Sequence, residues 1–450
     1  MRLFSARRWM ACTAVMALVA ALTVFASELQ AQALPDPTPV PTESAGQAPE
    51  PTGELTLGAA VQAALARNPD LAAGGYELKA AEARILQARL RPNPELSVQF
   101  DNLSVAGGAR GTSVMSSALT LSQVIEIGGK RALRTEVATS DRDVVGIERQ
   151  ALQLDVLAEV TRRFISVVTA QERLDLARST RELAQRTLNA ITTRVQAARS
   201  PEAERSRADI ALTRAQVQEQ QADSELRSAR FALAALWGSP EPLFKQARAD
   251  LFALDPAVPF ESLVQKLEGN PDFVRFASEV RLRDAEVRLA QAQARPNVTF
   301  GVGVGQFNET RNTGVSAGFS MALPLFDRNQ GNIREAQVRR TQTDAQRRAA
   351  FVRARAAVYG LYQEFVASRT RLETLRAQAL PKAQQALDQT QYGYERGRFS
   401  YLELATAQQE LLDVRVAVIE AAANYHSVLA EIERLTGAPL AAEPNPQELP

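Results

Sequence analysis

Val298-Thr299-Phe300-Gly301-Val302-Gly303-Val304-Gly305 carries an apolar side chain at every second position and a small or polar one between. After a short break, Val315-Ser316-Ala317-Gly318-Phe319-Ser320-Met321-Ala322 repeats the alternation. Period two is the signature of a strand, whose side chains point alternately to opposite faces. An apolar face backed by glycine and serine is the pattern of a membrane-barrel strand. Two earlier segments share it. Leu96, Val98 and Phe100 alternate with Ser97, Gln99 and Asp101, and Leu119 and Leu121 fit one face of a less regular stretch from Ser113 to Gln123. The reading places strands at about 95–103, 113–123, 298–306 and 313–322, roughly the length a tilted membrane strand needs. Four strands cannot close on themselves. An open edge in lipid leaves unpaired backbone groups costing several kcal/mol each. Three copies would supply twelve strands, enough for a barrel with an open lumen.

Outward from the strands the chain is an internal duplication. Asn68-Pro69-Asp70 recurs as Asn270-Pro271-Asp272, Arg91-Pro92-Asn93 as Arg295-Pro296-Asn297, and Leu236-Trp237-Gly238 as Leu435-Thr436-Gly437. The two repeats are 54–238 and 239–437. Each has the order helix, two strands, very long helix, reversal, long helix. Helices are expected over 69–90, 130–198 and 201–236, and over 272–295, 330–396 and 401–435. A helix of roughly 70 residues is about 100 Å long. Leu157, Val160, Phe164 and Val167 mark a coiled-coil spacing, continued by Ala184, Leu188, Ile191 and Val195. Val358, Leu361, Phe365, Leu372 and Leu375 mark the comparable seam, and Pro381 should kink that helix. Seams this narrow give no conventional globular core, so the helices are expected to pack side by side as staves.

The first 26 residues read as a secretory signal, with Arg2, Arg7 and Arg8 ahead of an apolar run; cleavage as late as residue 33 is also available. A Pro-rich linker (34–53) follows, and the tail 438–450 reads as disordered. The only cysteine, Cys12, lies in the signal, so disulfides, thiolate metal sites and cysteine nucleophiles are excluded from the mature chain. The net charge of +1 gives no reason to expect nucleic acid. His426, the single histidine, reads as structural. No catalytic set, phosphate loop or metal-ligand spacing is present, so no cofactor is expected and the chain does not read as an enzyme.

The chain resembles the TolC family, the outer-membrane factors of tripartite efflux and secretion systems, from Leu55 to about Gly437. The resemblance rests on Leu55-Thr56-Leu57 through Asn68-Pro69, Ala81 to Pro94, and Leu121-Ser122-Gln123 leading into Gly128-Gly129-Lys130-Arg131. It rests also on Leu323-Pro324-Leu325-Phe326-Asp327-Arg328-Asn329-Gln330-Gly331 and on Tyr392 to Arg415. The Gly-Gly-Lys-Arg and Phe-Asp-Arg-Asn-Gln-Gly stretches look most like the cobalt–zinc–cadmium branch. The resemblance implies a mainly α chain with a small transmembrane β part. Long antiparallel coiled-coil helices would form a periplasmic α-barrel, and four strands per chain would join a trimeric 12-stranded β-barrel in the outer membrane. It implies a homotrimer working with a periplasmic adaptor and an inner-membrane pump of the resistance-nodulation-division (RND) class. The duct would be passive, with heavy-metal cations as cargo. Multidrug efflux, type I secretion and a periplasmic coiled-coil scaffold are the rival readings.

The helix reversals are the candidate functional positions, because in the family they meet the adaptor and constrict the closed tunnel. They are Arg199, Ser200 and Pro201 in the first repeat, and Gly397, Arg398, Ser400 and Tyr401 in the second. A tight turn needs some of these residues anyway: Gly397 as a helix stop, Ser400 as an N-cap, Pro201 as a first-turn residue. The first reversal departs from the family pattern. Ala198 stands where glycine is usual, and the loop reads as one residue shorter.

Overall fold

A computed structural model of the protein describes residues 50–101, 116–256, 258–307 and 312–437. The signal segment, most of the linker and the tail lie outside the described residues. In chain order the elements are β1 (Gly53–Leu55), α1 (Leu57–Arg67), α2 (Pro69–Arg89), β2 (Glu95–Asp101) and β3 (Ser116–Ile125). Then come α3 (Lys130–Gln196), α4 (Glu202–Ala234), β4 (Phe244–Ala247), α5 (Phe260–Leu267) and α6 (Pro271–Gln293). The chain continues through β5 (Val298–Phe307), β6 (Asn312–Met321), α7 (Gln330–Thr374), α8 (Leu380–Glu395) and α9 (Tyr401–Thr436). Among the described residues no helix is long and apolar enough to cross a membrane. The chain divides into two compact units, and each draws on both sequence repeats.

The first unit includes Leu86–Val137 and Ala285–Ala336 and holds one antiparallel sheet in the order β2-β3-β5-β6. Its register explains the alternation in the sequence. Val98 faces Leu119, Leu119 faces Val304, and Val304 faces Val315. Likewise Leu96 faces Leu121, Leu121 faces Val302, and Val302 faces Ala317. Directly paired residues share a face, so the apolar positions of all four strands merge into one continuous surface. That surface is bare within the chain: Val98 is 59% exposed, Val315 84% and Phe319 77%. The opposite face carries Ser97, Thr120, Gly303 and Ser316 in one row. A Cβ on Gly303 would lie 2.7 Å from Thr120 Oγ1, so glycine is what lets the strands close there. Strands β2 and β6 end the sheet order, each paired on one side only. β3 runs to Ile125 and β5 to Phe307, slightly past the ranges expected from sequence; 102–103 and 113–115 lie outside the described residues.

The strand-to-helix joints account for the two motifs of the resemblance. Gly128 and Gly129 both take positive φ, and a Cβ on Gly128 would lie 2.8 Å from Arg295 Cδ. Lys130, the first residue of α3, donates to Asn297 Oδ1 at 2.6 Å. In the second joint Asn329 takes φ 60° and its amide donates to the Ala290 carbonyl at 2.7 Å. Asparagine tolerates the left-handed region better than most residues, so it does there what glycine does at Gly129.

Among the described residues the second unit takes in 50–85, 138–284 and 337–437. The expectation of no conventional core is corrected here. β1 pairs in parallel with β4, and Leu55, Val160, Phe164, Val167, Leu233, Trp237 and Phe244 form a buried cluster about this pair. The amide of Gln171 clamps Ala247 through both backbone groups, at 2.9 and 2.8 Å. A smaller cluster joins Leu263 and Leu267 of α5 to Phe365 of α7 and Tyr425 of α9. The seams therefore serve two functions: Val160, Phe164 and Val167 fill a core, and lower down Ile191 is buried between staves.

The repeated Asn-Pro-Asp and Trp/Thr-Gly markers meet in space. Asn68 Nδ2 donates to the Leu236 carbonyl at 2.8 Å, while its Oδ1 accepts from the Leu71 N–H at 3.0 Å. Asn270 Nδ2 donates to the Arg434 carbonyl at 2.8 Å, and its Oδ1 accepts from the Asp272 N–H at 2.8 Å. Each asparagine thus starts one helix and ends another, satisfying orphan groups at both. Gly238 and Gly437 follow in the left-handed region. Pro381 is accommodated by a π-turn over Leu375–Ala379, in which Leu380 N–H bonds back to the Leu375 carbonyl. The wider turn absorbs the hydrogen bond a proline cannot make.

The paired helix reversals as candidate functional site

Both reversals close the same way. At the end of α3, Ala198 N–H donates to Val195 O at 2.9 Å and Arg199 N–H to Arg194 O at 2.8 Å. After α8, Gly397 N–H donates to Tyr394 O at 2.9 Å and Arg398 N–H to Gly393 O at 2.8 Å. This is the Schellman pattern, which places one residue in the left-handed region. That residue is Gly397 (φ 72°) in one turn and Ala198 (φ 56°) in the other. An L-residue there costs about 1–2 kcal/mol. Both turns run three residues from the left-handed position to the next cap, Pro201 or Ser400, so within this chain they are equal in length.

The caps differ. Ser400 and Glu403 form a capping box: Ser400 N–H donates to Glu403 Oε2 at 2.7 Å and Ser400 Oγ accepts from Glu403 N–H at 3.4 Å. The Ser400 backbone N–H holds the Glu403 carboxyl below its ordinary pKa. Pro201 caps α4 with no side-chain bond and sits just before the helix, whose first residue is Glu202 rather than the proline.

The two turns are tied together by Arg194, a residue that the sequence pattern does not single out. Its Nη1 donates to the Tyr394 carbonyl at 3.0 Å, its Nε approaches Ser200 Oγ at 3.4 Å, and its guanidinium lies 4.7 Å from the Tyr394 ring centre. Tyr394 is buried, and burial, reinforced by Glu204, raises its hydroxyl pKa. Behind it Ile191, Ala208, Leu387, Tyr401, Leu404, Ala407 and Leu411 pack α3, α4, α8 and α9 into one cluster. Phe399 folds over Gly393, where a Cβ would run into the ring.

Of the seven candidates, Arg199, Pro201, Gly397, Arg398 and Ser400 are exposed, Ser200 is partly covered and Tyr401 is buried in the cluster. Arg194, Gly393 and Phe399 were missed. One available signal was the repeat period, since Arg194 meets the residue 200 positions on. Among the described residues no group of three or more His, Cys, Asp or Glu side chains is placed to hold a metal ion. His426 Nε2 lies 3.0 Å from the Leu251 carbonyl and its ring meets Tyr425 edge-on.

A four-stranded sheet with a bare apolar face and paired antiparallel helices are the parts of an outer-membrane channel subunit. The family model described as outer membrane efflux protein matches residues 60–239 and 263–438, and the chain belongs to that family. It is 31% identical over 389 residues to the cobalt-zinc-cadmium resistance protein CzcC of Cupriavidus metallidurans, covering 86% of this chain and 91% of the relative. It is 26% identical over 280 residues to the nickel-cobalt-cadmium resistance protein NccC of Alcaligenes xylosoxydans, covering 62% and 63%. Its fold matches the crystal structure of the outer membrane protein VceC from Vibrio cholerae with a TM-score of 0.67 at 20% identity, covering 85% of this chain and 96% of the other.

Proposed function

We propose that the chain forms a homotrimeric passive duct through the outer membrane. It would act with a periplasmic adaptor and an inner-membrane RND pump to export heavy-metal cations. The observation that carries the trimer is the single apolar face shared by four strands, with β2 and β6 each lacking a second partner. Similarity to CzcC over most of both chains supports the cargo. The pump selects the ion and this chain passes it. Arg199, Ser200, Pro201, Gly397, Arg398, Ser400 and Tyr401 are proposed to line the end that meets the adaptor. Contacts at the reversals hold the tunnel shut, and adaptor binding favours the splayed state by offsetting their loss.

Deletion of the gene, followed by growth on zinc, cobalt, cadmium, copper and a panel of drugs, tests the cargo. Sensitivity to the metals alone supports the proposal. Sensitivity to drugs alone replaces it with multidrug export.

A further inference from the structure

The apolar face of the sheet ends at a basic pocket. Direct pairing puts Gln123, Phe300 and Phe319 in one row of that face, and Ile125, Val298 and Met321 in the next. These rows lie at the end of the sheet from which the helices leave. β3 has ten residues, and such a strand tilted at about 40° rises about 25 Å, the height of a barrel's apolar band. A membrane that covers the face therefore ends at this level. Exposed Leu323, Leu325 and Phe326 follow β6 here, and Phe326 is 92% exposed. Apolar side chains of this kind sit at the boundary between headgroups and acyl chains.

A cavity of about 480 Å³ opens beside these rows, with Arg91, Gln123, Ile125, Glu126, Lys130 and Arg131 in its lining. Glu126 is the one carboxylate of that lining, and Arg134 engages both its oxygens. The acid of β2 at this end, Glu95, pairs with Ser122 on the opposite face of the sheet. Gln123 Nε2 donates to the Pro92 carbonyl at 2.9 Å, which holds the turn carrying Arg91 against the end of β3. Lys130 is 8% exposed, and its bond to Asn297 Oδ1 uses one of three N–H donors. A buried ammonium bonded to a neutral amide oxygen costs free energy that an anion in the cavity would offset. Arg91 and Arg131 are exposed, and their planar forks match the oxygens of a phosphate.

We propose that this pocket binds the phosphate of an anionic phospholipid, whose acyl chains lie along the apolar rows of β3 and β5. Gln123 and Ile125 belong both to the face and to the cavity, so the charged and apolar surfaces are continuous. A ligand with an anionic head and an apolar tail covers both. A free phosphate leaves the apolar rows bare, and a lipid without net charge leaves the cations uncompensated. The site depends neither on the cargo nor on the number of copies.

Native mass spectrometry of the full protein in detergent, with phosphatidylglycerol or phosphatidylcholine added, tests it. Both lipids carry a phosphodiester, and the first alone is net negative. Retention of one phosphatidylglycerol per chain is expected, with weaker retention of phosphatidylcholine. Arg91→Gln plus Arg131→Gln should weaken phosphatidylglycerol binding about 30-fold, since each cation at an anionic membrane surface is worth about fivefold. Arg91→Lys plus Arg131→Lys should keep most of it. Arg347→Gln plus Arg348→Gln, exposed on α7 outside this unit, removes the same charge and should change nothing. Equal retention by wild type and the first pair, or an equal loss in the α7 pair, overturns the site. Displacement of the lipid by inorganic phosphate reassigns the pocket to a free anion and overturns it too. If the first pair does not fold, equal retention of the two lipids by the wild type is the overturning result.

Discussion

Arg194 and Tyr394 belong to different repeats, yet the guanidinium of one covers the ring and binds the carbonyl of the other. The contact joins the last turn of α3 to the last turn of α8, so neither reversal moves alone while it holds.

Arg194→Ala removes a cation–π contact and a charged hydrogen bond, together worth about 2 kcal/mol. Faster hydrogen exchange and proteolysis over 195–201 and 393–399 are expected, with the β1–β4 core unaffected. Equal protection in wild type and variant would show that the two turns are held by other contacts.

Ala198→Gly relieves the left-handed strain and should stabilise the first turn by up to about 1 kcal/mol, whereas Gly397→Ala should destabilise the second by a similar amount. Opposite changes in thermal midpoint are the expected outcome. Shifts of the same sign would contradict the equivalence of the two turns.

Asn68→Ala and Asn270→Ala each strip a part-buried carbonyl of its donor and a helix of its cap. A loss of about 1–3 kcal/mol is expected for each. Chemical denaturation with each variant measures it, and a loss below 0.5 kcal/mol (roughly the floor for a cap) would mean water replaces the amide.

Burial lowers the His426 pKa, outweighing its bond to the Leu251 carbonyl and the nearby Asp250 and Asp255. The folded state therefore favours the neutral ring. Its stabilising contribution is present above the unfolded value of about 6.5 and is lost as pH falls through the lower folded value. His426→Gln should flatten this acid-side slope in a plot of thermal midpoint against pH. An unchanged slope would assign the acid loss to carboxylates.

Three of the four strands were legible because they alternate over enough residues to show a period, the less regular β3 showed only Leu119 and Leu121, and the bare face follows from the pairing of Val98, Leu119, Val304 and Val315. Gly397 and Ser400 were legible because a left-handed turn and an N-cap select residue types. β1 and β4 were not: three and four residues are too short to display a period, and their pairing spans the whole first repeat. The Gly53 end of the expected linker is for this reason the start of a strand. Arg194 was hidden because a mid-surface arginine on a polar helix looks like any other. The repeat period sets it opposite Tyr394, but only the fold shows that the two touch.

The mass of the detergent-solubilised outer-membrane protein tests the central claim most directly. The account predicts three chains per particle, stable to dilution and released from membranes only by detergent. A single chain that stays soluble without detergent, its strands' apolar face exposed to water, would contradict it.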